Sequence, residues 1–226
     1  MPNICFIPAR NSSTRLRNKN ILPFKNRNLL TNTIDQALDS TIFDRIIVSS
    51  NDESILNDAK KYCKLIEVHL RDDKEDQLLP VIRNTIIDLK LNSEYIFGLL
   101  LVTCPLRSSL DIFKAYKLCI GEQNCVVSVK ENKNPIQLSF KRNSIDNKLY
   151  PVMPDDYYKS TRKQDQYPTY FYNDAIIFDT VKNFLDEERR TLYGKSPTPY
   201  IMPPERSIAI DYKFQYDICK CLSKEN

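Results

Sequence analysis

The stretch FIPARNSSTRLRNKNI, residues 6–21, carries Arg10, Arg15, Arg17 and Lys19 and no acidic side chain to neutralise them. Ser12, Ser13 and Thr14 stand in the middle of these cations. Guanidinium and ammonium groups make charge-assisted hydrogen bonds to anions, and the hydroxyls and backbone N–H groups of a loop add further donors. The combination therefore suits phosphate oxygens, up to the charge of a triphosphate. The chain has three glycines, Gly98, Gly121 and Gly194, and none lies in this loop. That excludes the GxGxxG fingerprint and the Walker A loop, both of which need glycine where backbone approaches phosphate. On composition alone the alternative is a solvated loop whose arginines pair with nearby acids, since such surface pairs are common and contribute about 0–1 kcal/mol.

The elements around the loop bear on this choice. Residues 4–7 read as a buried strand closed by Pro8, and Leu30, Ile34, Ala37 and Leu38 share one face of a helix within NLLTNTIDQALDS. Strand, basic loop, helix is the order that places a loop beyond the carboxyl end of a strand, where open α/β sheets bind ligands. The rhythm continues with RIIVSS as a strand, DESILNDAKKYC as a helix whose first residues suit its positive dipole end, and LIEVHL as a strand. Next come the helix DQLLPVIRNTIIDLK with Pro80 in its first turn, the doubly covered strand YIFGLLLV, the helix SLDIFKAYKLC and the strand CVVSV. This alternation predicts an α/β fold with a largely parallel sheet and helices on both faces. Residues 132–170 break the rhythm with turn-rich, tyrosine-rich sequence and are expected to form an inserted arm of hairpins. The pattern resumes with YNDAIIFDT as a strand, VKNFLDEERRTL as a helix, a strand near PYIMP, and a last strand-to-helix unit in SIAIDYKFQYDICKCL. A single domain over 1–226 is the expectation.

Composition narrows the classes. Seven cysteines, scattered and with no CxxC pair, argue for reduced thiols and against a disulfide framework or a zinc site. The longest apolar run, YIFGLLLVTCPL, falls short of the roughly 20 residues a membrane span needs, and the N-terminus lacks signal-peptide flanks. A cytoplasmic protein without membrane contact is expected. The net charge of +4 comes from interspersed residues of both signs, which suits a local anion site rather than a nucleic-acid surface.

IPARNSSTRLRNKNI resembles the nucleotide-binding loop of the cytidylyltransferases that activate sialic acid and related nonulosonic acids as CMP-sugars. FDRIIVSSNDESI (43–55), LLLVTCPLR (99–107), YNDAIIF (172–178) and ERSIAIDYKFQYD (205–217) resemble, in order, that family's second strand and helix, its LLQPTSPLR segment, its NGAIY strand and its DIDTxxD ending. The Kdo cytidylyltransferases share ARxxSTRL in the loop. The continuation Lys19-Asn20-Ile21 and the PLR at 105–107 are similar to the sialic-type sequences instead.

The resemblance implies a three-layer nucleotidyltransferase fold with a protruding dimerisation arm. The implied reaction is transfer of CMP from CTP to the anomeric hydroxyl of a sialic-type sugar acid, with pyrophosphate released and Mg²⁺ as cofactor. It implies that Arg10 and Lys19 contact the triphosphate with Ser13 assisting, that Arg15 adds a cation near its far end, and that Asn20 fixes the loop or the nucleotide. Arg71 is implied near cytidine, with Asp76 as a downstream acid. Arg107, Asn173 and either Arg162 or Lys163 are implied as sugar contacts, and Asp211 as the metal ligand; the alternative for Asp211 is a cap on the last helix. Tyr170 and Tyr172 either line the sugar pocket or simply pack. His69 reads as structural, and Cys104 has no evident base to make it a nucleophile.

Three departures stand out: Ala209 replaces the first aspartate of the DID pair, Leu101 the glutamine of LLQPTSPLR, and Asp174 the glycine of NGA. They leave a Kdo-type enzyme or a non-catalytic nucleotide-binding module as alternatives. A homodimer is a further implication, since so polar an arm has little to pack against in its own chain.

Overall fold

The computed structural model describes residues 2–11, 15–72 and 77–223. The first strand, β1 (Asn3–Pro8), leads through the basic loop and a 3₁₀ turn at Lys19–Ile21 to a small hairpin, β2 (Pro23–Phe24) and β3 (Arg27–Asn28), and then to α1 (Leu29–Asp39). Then follow β4 (Arg45–Ser50), α2 (Glu53–Tyr62), β5 (Glu67–Leu70), α3 (Leu78–Asp88), β6 (Ile96–Leu100), α4 (Ser109–Glu122) and β7 (Val126–Glu131). An excursion holds the hairpin β8 (Phe140–Arg142) and β9 (Leu149–Pro151) and the short helix α5 (Pro154–Tyr157). The chain returns as β10 (Tyr170–Thr180), α6 (Val181–Leu185), β11 (Thr198–Ile201) and α7 (Lys213–Leu222).

Seven strands form one sheet in the order β11-β7-β10-β6-β1-β4-β5. All run parallel except β10, which pairs antiparallel with both β6 and β7. The mostly parallel sheet expected from the sequence is therefore found, with β10 reversed. Both faces are covered, and β1 shows it residue by residue. Cys5 and Ile7 enter the core beneath α1, α2, α4 and α7, whereas Ile4 and Phe6 enter the core beneath α3 and α6. Burying side chains of that size stabilises by roughly 1.5–3 kcal/mol each, which explains a first strand that is apolar on both faces.

The helices begin where capping chemistry says they should. Asn28 and Thr31 form a reciprocal capping box for α1, Asp52 accepts from the Ser54 backbone N–H to open α2, and Ser108 and Asp111 cap α4. Two expected elements differ. The helix expected over 181–192 stops at Leu185 because Arg189 turns back into the sheet's end. There its guanidinium meets buried Asp179 at 2.5 Å and donates to the carbonyls of Thr191 and Leu192, contacts that a continued helix would not allow. Residues 207–210 form no strand. They are tied down singly, Ile210 donating its N–H to the Thr103 carbonyl at 2.8 Å.

Because β1 lies between β4 on one side and β6 on the other, successive connections leave it in opposite directions. The loop after β1 thus sits at the topological switch point of the sheet, at the edge where the parallel strands end.

Candidate active site

The loop leaving β1 is anchored at both ends. On the near side, Asn11 donates its backbone N–H to Asn51 Oδ1 at 3.1 Å and its side-chain amide to Asp52 Oδ2 at 2.5 Å, joining the loop to the start of α2. On the far side, buried Asn20 donates its side-chain amide to the Arg10 carbonyl at 2.7 Å, so the two ends close on each other. Ser13 and Asp76 lie outside the described residues.

Opposite the loop stands Asp211, carried by the segment between β11 and α7. The backbone N–H groups of Asp211 and Tyr212 both donate to Gln215 Oε1, at 2.7 and 2.8 Å, which fixes the turn that presents the carboxylate. Lys19 Nζ donates to the Ile210 carbonyl at 2.8 Å and to Asp211 Oδ1 at 3.2 Å. Arg15 reaches the same oxygen at 3.2 Å, and its guanidinium lies 5.8 Å from the Tyr212 ring centroid. Residues 191 or more positions apart in sequence thus share one point: two cations of the loop and the one carboxylate for which a metal role was implied.

Asp211 keeps 38% of its side chain exposed and offers a hard oxygen donor beside a cationic loop, which fits magnesium, an ion that often takes one or two carboxylates and completes its shell with phosphate oxygens and water. Ala209 adds no ligand, and no group of three or more His, Cys, Asp or Glu suited to a metal is found among the described residues.

Other expected site residues fall elsewhere. Arg107 was expected to touch the sugar; instead it is 1% exposed. It donates to the carbonyls of Leu101 and Ala175 and to Gln36 Oε1, bracing the β6–α4 turn against β10. Gln36 returns two hydrogen bonds, to the carbonyls of Pro105 and Arg107. Asn173, also expected at the sugar, is buried, with Ser128 donating to its Oδ1 and its amide donating to Ser207 Oγ at 3.0 Å. Arg162 and Lys163 lie exposed on the excursion, Arg162 near Asp165 and Lys163 donating to Asn134 Oδ1 at 2.9 Å. Arg71 borders a cavity of about 250 Å³ together with His69, Asp72 and Asn84. His69 bridges elements, its Nδ1 3.0 Å from Ser49 Oγ and its Nε2 3.2 Å from Asp88 Oδ2. Burial pushes the Cys104 thiol up to about 12, and the thiol donates to the Asn173 carbonyl, so it is not a nucleophile at neutral pH.

Sequence reasoning gave no role to Gln36, Gln215 or Tyr193. Gln36 and Tyr193 act on residues far away in the chain, which no spacing rule marks; Gln215 stands at the third position of α7, where a glutamine side chain closes a capping box on the backbone N–H groups before the helix.

A switch-point loop of cations closed against a carboxylate, at the edge of a three-layer α/β sheet, is the arrangement of a nucleotidyltransferase. Comparison with known proteins agrees. A family model described as cytidylyltransferase matches residues 4–99. A pseudaminic acid cytidylyltransferase of Campylobacter jejuni is 31% identical over 100% of this chain and 98% of its own length. An N-acylneuraminate cytidylyltransferase of Escherichia coli is also 31% identical, over 95% of this chain and 50% of its own length. A CMP:2-keto-3-deoxy-manno-octonic acid synthetase solved with CTP superposes with a TM-score of 0.73 at 11% identity, covering 100% of this chain and 99% of that one, which bears on the fold alone. The chain belongs to the acylneuraminate and nonulosonate cytidylyltransferase family.

Proposed function

We propose that the protein transfers CMP from CTP to the anomeric hydroxyl of a nonulosonic acid. The observation that carries this reading is the closure of the basic loop on the far end of the chain, with Lys19 Nζ at 2.8 Å from the Ile210 carbonyl and 3.2 Å from Asp211. The anomeric hydroxyl oxygen attacks the α-phosphorus of CTP and gives up its proton to water, the bond from that phosphorus to the bridging oxygen breaks, and pyrophosphate leaves. Negative charge grows on the departing pyrophosphate, so preorganised cations at that end lower the barrier more than they tighten ground-state binding. Arg10, Arg15 and Lys19 supply them. Asn20 holds the loop in shape, and Arg71 would contact cytidine. Asp211 would hold a magnesium ion, which adds Lewis-acid charge to the triphosphate when bound. A bound triphosphate would offer Lys19 and Arg15 a stronger anion than Asp211, which would leave that carboxylate able to hold the ion.

A homodimer is part of the proposal. Residues 132–169 expose Ile145 and Tyr158 at 94% and 76%, beside Phe140 and Leu149, an apolar set that a second copy would cover. Arg162 and Lys163 sit on this excursion, so their proposed sugar contact would fall in the partner's site or at the interface.

The test is a panel: CTP and magnesium with pseudaminic acid, N-acetylneuraminic acid or Kdo, read as pyrophosphate release. Release with a nonulosonic acid is expected. Turnover with Kdo alone would reassign the acceptor, and CTP binding without release on any acceptor would make the chain a binding module.

A further inference from the structure

We infer that Asp174 is a specificity-determining residue of the acceptor subsite: held by Tyr193, its carboxylate accepts a hydrogen bond from an N–H or O–H substituent of the sugar acid and repels the sugar's own carboxylate. The inference rests on the proposed function and adds the side chain that reads the acceptor.

The backbone raises the question first. Asp174 has φ 56°, in the left-handed region that glycine occupies freely and that aspartate tolerates better than most residues. It lies where the pairing of β10 with β7 shifts register, between Tyr172 and Ile177. Its neighbours Asn173 and Ala175 are buried, while Asp174 is partly exposed, lifted out of the ladder by the bulge.

That side chain makes no ion pair among the described residues. The buried aspartates of this region each face an arginine, Asp111 with Arg206 and Asp179 with Arg189. Asp174 has no such partner among the described residues, where its one hydrogen-bond donor is the Tyr193 hydroxyl, 2.7 Å from Oδ1. Burial pushes its carboxyl above the ordinary aspartate range, Tyr193 pulls it back, and the charge of Asp211 raises it again. The topology locates it: β10 runs antiparallel to β6 with Ile176 opposite Leu100, the last residue of β6, so Asp174 lies beyond the carboxyl end of β6, on the sheet edge where the loop leaves neighbouring β1 and where Ile210, next to Asp211, is tied to Thr103.

The carboxylate is also preorganised. The Tyr193 ring stacks on Tyr172 with centroids 3.8 Å apart and planes 14° apart, so the donor that orients Asp174 is itself held. Tyr172 leaves an exposed aromatic surface beside the carboxylate, a pairing suited to a sugar with one apolar face and one donor edge. A carboxylate in this setting accepts a hydrogen bond and rejects anions, so a sugar acid is oriented with its carboxylate turned away.

The experiment is steady-state kinetics of Asp174→Gly and Asp174→Asn on the acceptors that the wild-type protein uses. Each acceptor is paired with analogues lacking one N-acyl or hydroxyl group, and CTP affinity is measured in parallel by calorimetry. Glycine relieves the backbone, so Asp174→Gly should fold and melt no lower than wild type. The expected result is a 10- to 100-fold rise in KM for the acceptor, with CTP affinity and the magnesium requirement within about twofold of wild type. One analogue should lose affinity in the wild type and not in Asp174→Gly, which a purely structural role would not produce. An unchanged acceptor KM, or an effect on the magnesium requirement in its place, would overturn the inference while leaving the proposed function standing. Wild-type protein that releases no pyrophosphate with any sugar acid would overturn both.

Discussion

At the scale of single residues, the site is a meeting of charges that the sequence scatters. Asp211→Asn should lower turnover on the order of 100-fold with little change in CTP affinity, if that carboxylate serves the metal; full magnesium-dependent activity in the variant would exclude the role. Asp174 makes a prediction of opposite sign for stability. Its folded pKa lies above its unfolded one, so the folded state binds the proton more tightly and stability falls as pH rises from the ordinary value of about 4 through the raised one. Asp174→Asn should therefore melt higher than wild type at neutral pH, and the gain should vanish in acid. Asp111 behaves in the reverse sense. Burial alone would raise its carboxyl, but hydrogen bonds from Arg206 and Ser108 hold it below the ordinary range. The stability it contributes is complete above about pH 4 and is lost as pH falls through the lowered value. Arg206→Met should cost about 1–2 kcal/mol at neutral pH, modest because the arginine is partly exposed, and thermal melts should show the cost shrinking in acid.

At the scale of elements, much was legible because parallel α/β units write their periodicity plainly. RIIVSS is β4 to the residue, and the helix expected from NLLTNTIDQALDS is α1. Periodicity could not show where a buried charge overrides propensity, as Arg189 does when it ends α6, nor that β10 runs backwards, since direction is set by which edges pair and not by local pattern. The site was legible to the same degree. The loop announced itself by uncompensated charge, and Asp211 through its resemblance to a motif. Arg107 misled because its chemistry suits carboxylates equally well at a surface and carbonyls in a core, and only burial distinguishes them. One element holds a steric demand: a Cβ on Gly98 in β6 would stand 2.5 Å from Phe178 and 2.8 Å from Phe43, two rings stacked on each other. Gly98→Ala should cost roughly 1–3 kcal/mol by overpacking. A melting temperature within a degree of wild type would show that the rings yield freely.

At the scale of the whole molecule, the sheet's reversal at β1 puts the loop at one edge, and the last helix brings Asp211 back to it. The excursion at 132–169 leaves apolar side chains facing outward, and sedimentation should give twice the 26.5 kDa chain mass, with Leu149→Glu shifting the protein toward a single chain. The proposed seat for the triphosphate of CTP draws on the chain's two ends, and titration of the intact protein with CTP by calorimetry is its sharpest test. Saturable binding is expected, and Lys19→Ala should weaken it by roughly 1.5–3 kcal/mol, the scale of one charge-assisted contact. Equal affinity in wild type and variant, or no binding by either, would contradict it.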